Sequence, residues 1–335
     1  MRALVTGATG FVGTHLCRYL RSVTDWDLVG TTLPNTVNEP PEGAQHLVAV
    51  DLRNREATAQ LIAEWRPEHV IHLAAQSHVP TAYEDPWGTL ENNILSQLNL
   101  LAACVELTQK PRFLVVGSGE EYGRAPEEAL PLTEDHPLRP ENPYSVSKVT
   151  QDVLGYQYFM SYQLPVVRVR PFNHIGPGQS PKFVLPAFAS QIADIEVGER
   201  EAVLKVGNLT PARDFTDVRD IVRAYHLILL RGHPGEVYNI ASGRAHTVQT
   251  LLNHLLALAA VDVEVRTDPE RYRPADIPII YGSSDKLQQD TGWRPDIPLQ
   301  QTVADVLAEW RQRVEVDHSL STGTEVAKEQ REETA

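Results

Sequence analysis

The stretch Ala3-Leu4-Val5-Thr6-Gly7-Ala8-Thr9-Gly10-Phe11-Val12-Gly13 decides the architecture. A short apolar strand, Ala3–Thr6, runs straight into a glycine turn, and from Thr14 apolar side chains recur at helical spacing. Strand, glycine turn and helix in that order make the first half of a βαβ unit that holds a dinucleotide. Gly7 permits the tight turn, Gly10 lets a pyrophosphate reach the backbone, and Gly13 lets helix and strand pack closely. The helix start adds free N–H donors and a partial positive charge. Glycine turns also serve packing alone, so the surrounding pattern has to give this one its meaning.

The pattern repeats. Apolar runs at Leu28–Thr32, His46–Val50, Val70–Leu73, Phe113–Val116 and Val166–Val169 alternate with helical segments at Gly13–Arg21, Thr58–Trp65, Leu90–Leu107 and Tyr144–Tyr162. This rhythm predicts an α/β fold, a Rossmann-type doubly wound parallel sheet covered by helices on both faces. Past Arg170 comes a Pro- and Gly-rich stretch, Pro171–Pro186, then helical patterns at Ala187–Ile195 and Thr247–Ala259, which predict a smaller, partly helical domain for the substrate. Val218–Leu230 and Val237–Ile240 read as a further helix and strand of the main sheet. The expected division is 1–172 plus about 214–245 for the dinucleotide domain and about 173–213 plus 246–315 for the smaller one. The polar stretch 316–335 is expected to be a disordered tail.

Composition narrows the function. The 30 basic and 44 acidic residues give a net charge of −14, which repels a phosphate backbone and an anionic membrane alike, so neither nucleic acid nor membrane is expected as a partner. An anionic ligand must then meet a local cationic pocket. No apolar run is long enough to span a bilayer, and the first motif starts too near Met1 for a cleavable signal, so a cytoplasmic protein is expected. Cys17 and Cys104 lie in apolar helical stretches without ligand or redox spacing, which predicts buried free thiols. The histidines are scattered, and no metal site is expected.

Tyr144-Ser145-Val146-Ser147-Lys148 opens a predicted helix, and a spacing of four places phenol and ammonium on one face. A phenol of ordinary pKa about 10 needs a nearby cation to ionise near neutrality, and Lys148 is the candidate. Gly117-Ser118-Gly119-Glu120-Glu121-Tyr122-Gly123 follows the strand Phe113–Val116 and supplies Ser118. Hydroxyl, proton donor and cation together suit hydride transfer to a carbonyl. At the end of the second strand, Thr31-Thr32-Leu33 offers neither an acid for a ribose 2′-OH nor an arginine for a 2′-phosphate. NAD and NADP both stay open, with a slight lean to NADPH because no carboxylate repels the phosphate.

The GxxGxxG spacing of Gly7, Gly10 and Gly13, with Tyr144 and Lys148, resembles the extended short-chain dehydrogenase/reductase superfamily. That resemblance implies cofactor contacts from Thr9, Phe11, Val12, Thr32, Asp51, Leu52, Leu73, Ala74, Ala75, Gln76 and Pro171. The run Arg170-Pro171-Phe172-Asn173-His174-Ile175-Gly176-Pro177-Gly178-Gln179, followed by Ala212-Arg213-Asp214-Phe215, resembles GDP-4-keto-6-deoxy-D-mannose reductases, relatives of GDP-mannose 4,6-dehydratases. The likeness extends to about Arg313 and implies Ser118, Tyr144 and Lys148 as the catalytic set, acting on a GDP-linked deoxyhexose to give GDP-D-rhamnose. It also implies Asn173, Val184, Arg213, Arg273 and Asp276 at the substrate, and a homodimer packed through Leu90–Leu107 and Tyr144–Tyr162.

Glu120 stands where dehydratases of this group carry their base, which keeps a dehydratase or a 4-epimerase open. Against it, Ile175–Gln179 lacks the dehydratases' acidic-serine-proline-arginine run, and no arginine-rich segment follows the second strand. A non-catalytic dinucleotide sensor on this fold would be expected to have lost Tyr144 or Lys148, and both are present.

Overall fold

The computed structural model describes residues 1–36, 39–271 and 277–332, without the side chains of 271 and 317–332. In chain order the elements begin β1 (Arg2–Thr6), α1 (Phe11–Val23), β2 (Asp27–Thr32), β3 (His46–Ala49), α2 (Arg55–Trp65), β4 (His69–His72), α3 (Val79–Glu84), α4 (Pro86–Val105), β5 (Arg112–Val116), α5 (Pro143–Tyr162) and β6 (Val166–Pro171). They continue β7 (Asn173–Ile175), α6 (Val184–Glu196), β8 (Val203–Val206), β9 (Ala212–Asp217), α7 (Val218–Arg231), β10 (Val237–Ile240), β11 (Ala245–Thr247) and α8 (Val248–Leu258). The last are β12 (Glu264–Thr267), β13 (Ile279–Ile280), α9 (Asp285–Thr291) and α10 (Leu299–Glu332).

The chain divides into two compact units, the first being Met1–His174, Arg213–Ala245 and Ile279–Ile297. Its centre is a seven-stranded sheet in the order β10-β6-β5-β4-β1-β2-β3, parallel throughout. Successive β1 residues face opposite ways, as a pleat requires. Ala3 and Val5 join a core with Leu16, Cys17 and Leu20 of α1 and Ile221, Val222 and Tyr225 of α7. Leu4 joins the other, with Leu61 and Ile62 of α2 and Leu100, Leu101 and Cys104 of α4. Both thiols are free and buried, and burial pushes Cys17 up to about 12. Strand order reverses between β1 and β4, and in a doubly wound sheet the crevice at that switch point takes the ligand.

The second unit is Ile175–Ala212, His246–Pro278 and Pro298–Ala335. Its buried apolar residues include Phe188 and Ile192 of α6, Leu251 and Leu255 of α8, and Val303 and Leu307 of α10. Arg311 binds α10 to α6 through Glu196, at 2.6 and 2.7 Å.

Two departures from the sequence reading follow from packing. Ile279–Ile297 belongs to the first unit, not the second. Trp293 there is fully buried and donates its Nε1–H to the Asp220 carbonyl at 2.9 Å, while the backbone N–H groups of Asp296 and Ile297 both reach the Asp220 carboxylate at 2.9 Å. The expected disordered tail is instead helical as far as Glu332. It contains no proline to stop the helix that begins among the buried residues of α10. Among the described residues, no helix is long and apolar enough to cross a membrane.

Two buried histidines make the sheet acid-sensitive. His72 shares a hydrogen bond of 2.8 Å with Thr6 Oγ1, and burial pushes it down to about 3. His69 stacks on Trp26 at 4.6 Å with both ring nitrogens unpartnered, and burial lowers it too. Both stay neutral in the folded chain and gain a proton on unfolding, so their contribution is complete above about pH 6.5 and is lost as the pH falls below it. His72 alone should cost about 2 kcal/mol at about pH 5. Urea unfolding across this range should show the loss, and His69→Phe, which keeps the stack without a titrating ring, should flatten the slope.

Candidate active site

The β1–α1 turn leaves no room for a side chain at Gly7 or Gly13. Gly7 has φ +65°, and a Cβ there would stand 3.0 Å from the Ala74 backbone. A Cβ on Gly13 would stand 2.3 Å from the Gly7 carbonyl oxygen, so α1 starts in direct contact with the turn that feeds it. Gly10 caps α1 with no side-chain bond, and the first turn carries no acid. By contrast Asn54, Asp85, Asn142 and Asp217 cap α2, α4, α5 and α7 with their own oxygens. Uncapped N–H groups beside glycines that carry no Cβ fit a pyrophosphate. Val12 packs against the first core, and Phe11 stacks on His174 with centroids 6.2 Å apart, joining the turn to the residues after β6.

Around that turn lie the other residues assigned to the cofactor. Thr9 Oγ1 is 3.2 Å from Thr32 Oγ1, which is 2.8 Å from Thr36 Oγ1, giving a hydroxyl cluster at the end of β2. Asp51 is forked by the Arg53 guanidinium at 2.9 and 2.7 Å, which holds its carboxyl below the usual range. Leu52 is buried in the second core, and its carbonyl accepts from Thr58 Oγ1 at 3.0 Å and Asn99 Nδ2 at 2.9 Å. After β4, the N–H groups of Leu73 and Ala74 reach Thr6 Oγ1 at 3.1 Å each, and past Ala75 the Gln76 N–H reaches Asn93 Oδ1 at 2.8 Å. Pro171 ends β6 opposite Ile240.

Asn93, which sequence reasoning passed over, ties this loop to α5. Its amide donates to the Gln76 carbonyl at 3.0 Å and to Ser147 Oγ at 2.9 Å, and that hydroxyl donates to the Tyr144 carbonyl at 2.6 Å. The only sequence signal was the pair Asn92-Asn93 within an otherwise apolar helical run. The start of α5 is set by Pro143 and by an Asn142–Ser145 capping box, which place Tyr144 and Lys148 in its first turns.

The four candidate catalytic residues come together. Ser118 caps the short 3-10 turn Gly119–Tyr122; its Oγ accepts the Glu120 N–H at 3.2 Å, and its side chain acts on the Tyr144 phenol to lower its pKa. Lys148 Nζ donates to the Val116 carbonyl at 2.8 Å and lies 5.9 Å from the Tyr144 ring centre. Glu120 accepts from Asn142 Nδ2 at 3.1 Å. One expectation is corrected. Burial pushes the Tyr144 phenol above its ordinary value, Glu120 and Glu121 push the same way, and only the Ser118 side chain opposes them. Lys148 does not offset this; burial pushes it down to about 8 against the pull of Glu121. The phenol therefore holds its proton, as an acid must.

Beneath these residues lies a charge network that the sequence reading missed. Asp152 of α5 pairs with Arg168 at 2.5 Å and Arg170 at 2.9 Å on β6, and Arg170 also meets Glu121 at 3.2 Å and Tyr122 at 3.0 Å. Two arginines in alternate places of an apolar strand were its signal.

Of the substrate candidates, Asn173 is exposed on β7 and Arg213 is buried on β9. Val184 opens α6, whose cap residue Phe183 gives no side-chain bond. Arg273 and Asp276 lie outside the described residues.

Residues 4–306 match the model of the family described as GDP-mannose 4,6 dehydratase. A GDP-6-deoxy-D-mannose reductase of Pseudomonas aeruginosa is 38% identical over 314 residues, covering 93% of this chain and 98% of that protein. A GDP-mannose 4,6-dehydratase of Yersinia enterocolitica is 27% identical, over 92% of this chain and 93% of its own. The solved structure of RMD from Pseudomonas aeruginosa complexed with NADPH aligns with TM-score 0.83 over 93% of this chain and 99% of that one, at 38% identity. The Thermus thermophilus UDP-glucose 4-epimerase complex with NAD aligns with TM-score 0.83 over 93% and 99%, at 31% identity.

Gly13→Ala should lower folding stability by roughly 1–3 kcal/mol, since its methyl meets backbone rather than a movable side chain. Urea denaturation measures it, and an unchanged midpoint would show that the turn can open.

Proposed function

The chain belongs to the GDP-mannose 4,6 dehydratase family, and within it we propose that it reduces the C4 ketone of GDP-4-keto-6-deoxy-D-mannose to GDP-D-rhamnose, using NADPH or NADH. The observation that carries this reading is the convergence of Ser118, Tyr144 and Lys148, with the phenol kept protonated by burial beside Lys148. The likeness to the Pseudomonas aeruginosa reductase over nearly the whole of both chains supports the substrate, and its neighbour's bound NADPH supports the cofactor.

When bound, the reduced nicotinamide supplies the hydride. Gly7, Thr9, Gly10, Phe11, Val12 and Gly13 would hold the pyrophosphate, Thr32, Asp51 and Leu52 the adenosine, and Leu73–Gln76 with Pro171 the other half. The absence of a carboxylate at Thr31–Leu33 favours NADPH. As negative charge develops on the substrate's O4, Tyr144 releases its proton to that oxygen and Ser118 donates a hydrogen bond to it. Lys148 is held beside the phenol by the Val116 carbonyl. Asn173 and Arg213 are assigned to the GDP diphosphate, for which a guanidinium fork is suited. In the second unit, the uncapped start of α6 at Val184 also suits an anionic group.

A second reading, the dehydratase, draws on Glu120, whose charge acts on Tyr144 and which would have to leave its Asn142 bond to serve as a base. A cytoplasmic location suits the two free thiols. A homodimer suits the outward stripe of Val146, Val153, Tyr156 and Met160 on α5, all exposed and on one helical face.

With GDP-4-keto-6-deoxy-D-mannose, the purified protein should oxidise NADPH stoichiometrically and leave GDP-mannose untouched; conversion of GDP-mannose without net cofactor use would establish the dehydratase instead. Tyr144→Phe should cut kcat by roughly 10²–10⁴-fold with cofactor affinity kept, and wild-type turnover in that variant would remove Tyr144 from the mechanism. Met160→Glu should turn a dimer into a monomer in sedimentation, whereas a wild-type chain that sediments as a monomer ends the dimer proposal.

A further inference from the structure

We propose that Glu121 is a positioning residue for this reaction: its buried carboxyl group fixes the backbone of Ser118 at the strand end whose Val116 carbonyl holds Lys148. The inference rests on the reading of Ser118, Tyr144 and Lys148 as the reducing centre, and Glu121 itself touches neither substrate nor cofactor in it.

The geometry is specific. Glu121 is wholly buried; its Oε1 accepts the Ser118 N–H at 2.7 Å, and its Oε2 lies 3.2 Å from Arg170 Nε. The Glu121 N–H in turn reaches the Ser118 carbonyl at 3.1 Å, so the residue that presents the active-site hydroxyl is gripped at both of its backbone polar groups. The space for this carboxylate is made by Gly117, where a Cβ would stand 2.2 Å from Oε1. A buried ion pair adds little to stability compared with apolar side chains of similar size, so packing alone does not account for an acid here.

The charges around it link Glu121 to Lys148 as well. Facing Glu121 are Tyr144, Lys148 and Asp152 from α5, Arg170 from β6 and Tyr122 from its own turn, with Arg168 behind Asp152 and Glu134 near Arg170. Lys148, Arg168 and Arg170 are three cations, with Asp152 and Glu121 the two anions set directly among them. A neutral group at 121 would leave two uncompensated positive charges in that cluster, and Lys148 is the cation that can discharge. Burial brings Lys148 down to about 8 with Glu121 opposing the fall, and burial likewise pushes Glu121 up to about 8 with Arg170, the Ser118 N–H and Lys148 opposing that rise, so each charge supports the other. The same carboxylate helps the phenol keep its proton.

The chain contains only six lysines, so the ε-carbons of 13C-lysine-labelled protein can be titrated by NMR, with the Lys148 signal identified by its loss in Lys148→Arg. In Glu121→Gln, nearly isosteric, the Lys148 midpoint should fall by about one unit or more, and the alkaline limb of kcat/KM should move to lower pH with it. Glu121→Asp keeps the charge but shortens the reach to Ser118; it should lower kcat at least tenfold while moving the Lys148 midpoint less. If Glu121→Gln does not fold, the Glu121→Asp result decides, since wild-type kcat there removes the grip on Ser118. An unmoved Lys148 midpoint in folded Glu121→Gln overturns the link between Glu121 and Lys148, because a purely structural role would not move it. The lysine titration needs no substrate, so an inactive wild type would sink the reductase reading while the Glu121–Lys148 link is still decided.

Discussion

The close backbone approach that seats α1 on its own leading turn at Gly7 and Gly13 is the constraint from which the site follows. It brings the uncapped start of a helix to the carboxyl end of the central strand, where the strand order reverses. It also leaves the loop after β4 in contact with Gly7, so Leu73 and Ala74 can hang from Thr6 Oγ1. A side chain at either glycine would separate these parts, and no apolar packing elsewhere could replace the lost proximity.

From that anchor, short polar links carry the geometry across the sheet. Asn93 joins the β4 loop to α5, the capping box on Asn142 starts α5 one residue before Tyr144, and the turn capped by Ser118 brings a hydroxyl to the phenol. The Asn93 links and the Asn142 cap are buried or partly buried hydrogen bonds whose loss would leave polar atoms unpaired, which is costly in a low-dielectric interior. The catalytic set is thus positioned by groups that have no chemical role of their own.

Electrostatics then selects the direction of proton movement. Burial and two nearby glutamates hold the proton on Tyr144, while Lys148 is spent on a carbonyl and does not draw that proton off. A phenol in this state is ready to give a proton to a developing alkoxide. The simple expectation that a lysine one turn away makes a tyrosine acidic takes no account of desolvation, which here is the larger effect.

By itself the sequence determined the parallel sheet, its order of strands and helices along the chain, the glycine cradle and the Tyr144–Lys148 pair. These are periodic or short-range patterns, and the physics that produces them acts over a few residues. Tertiary structure alone decided the rest. Ile279–Ile297 joins the first unit through its own Trp293 and through Asp220, which is distant from it in sequence. Asn93, Glu121, Asp152 and Arg170 acquire their significance only where α4, α5, β6 and the Ser118 turn meet. The sign of the Tyr144 shift likewise depends on how much water the folded chain excludes, a property of the whole packed interior that no local pattern records.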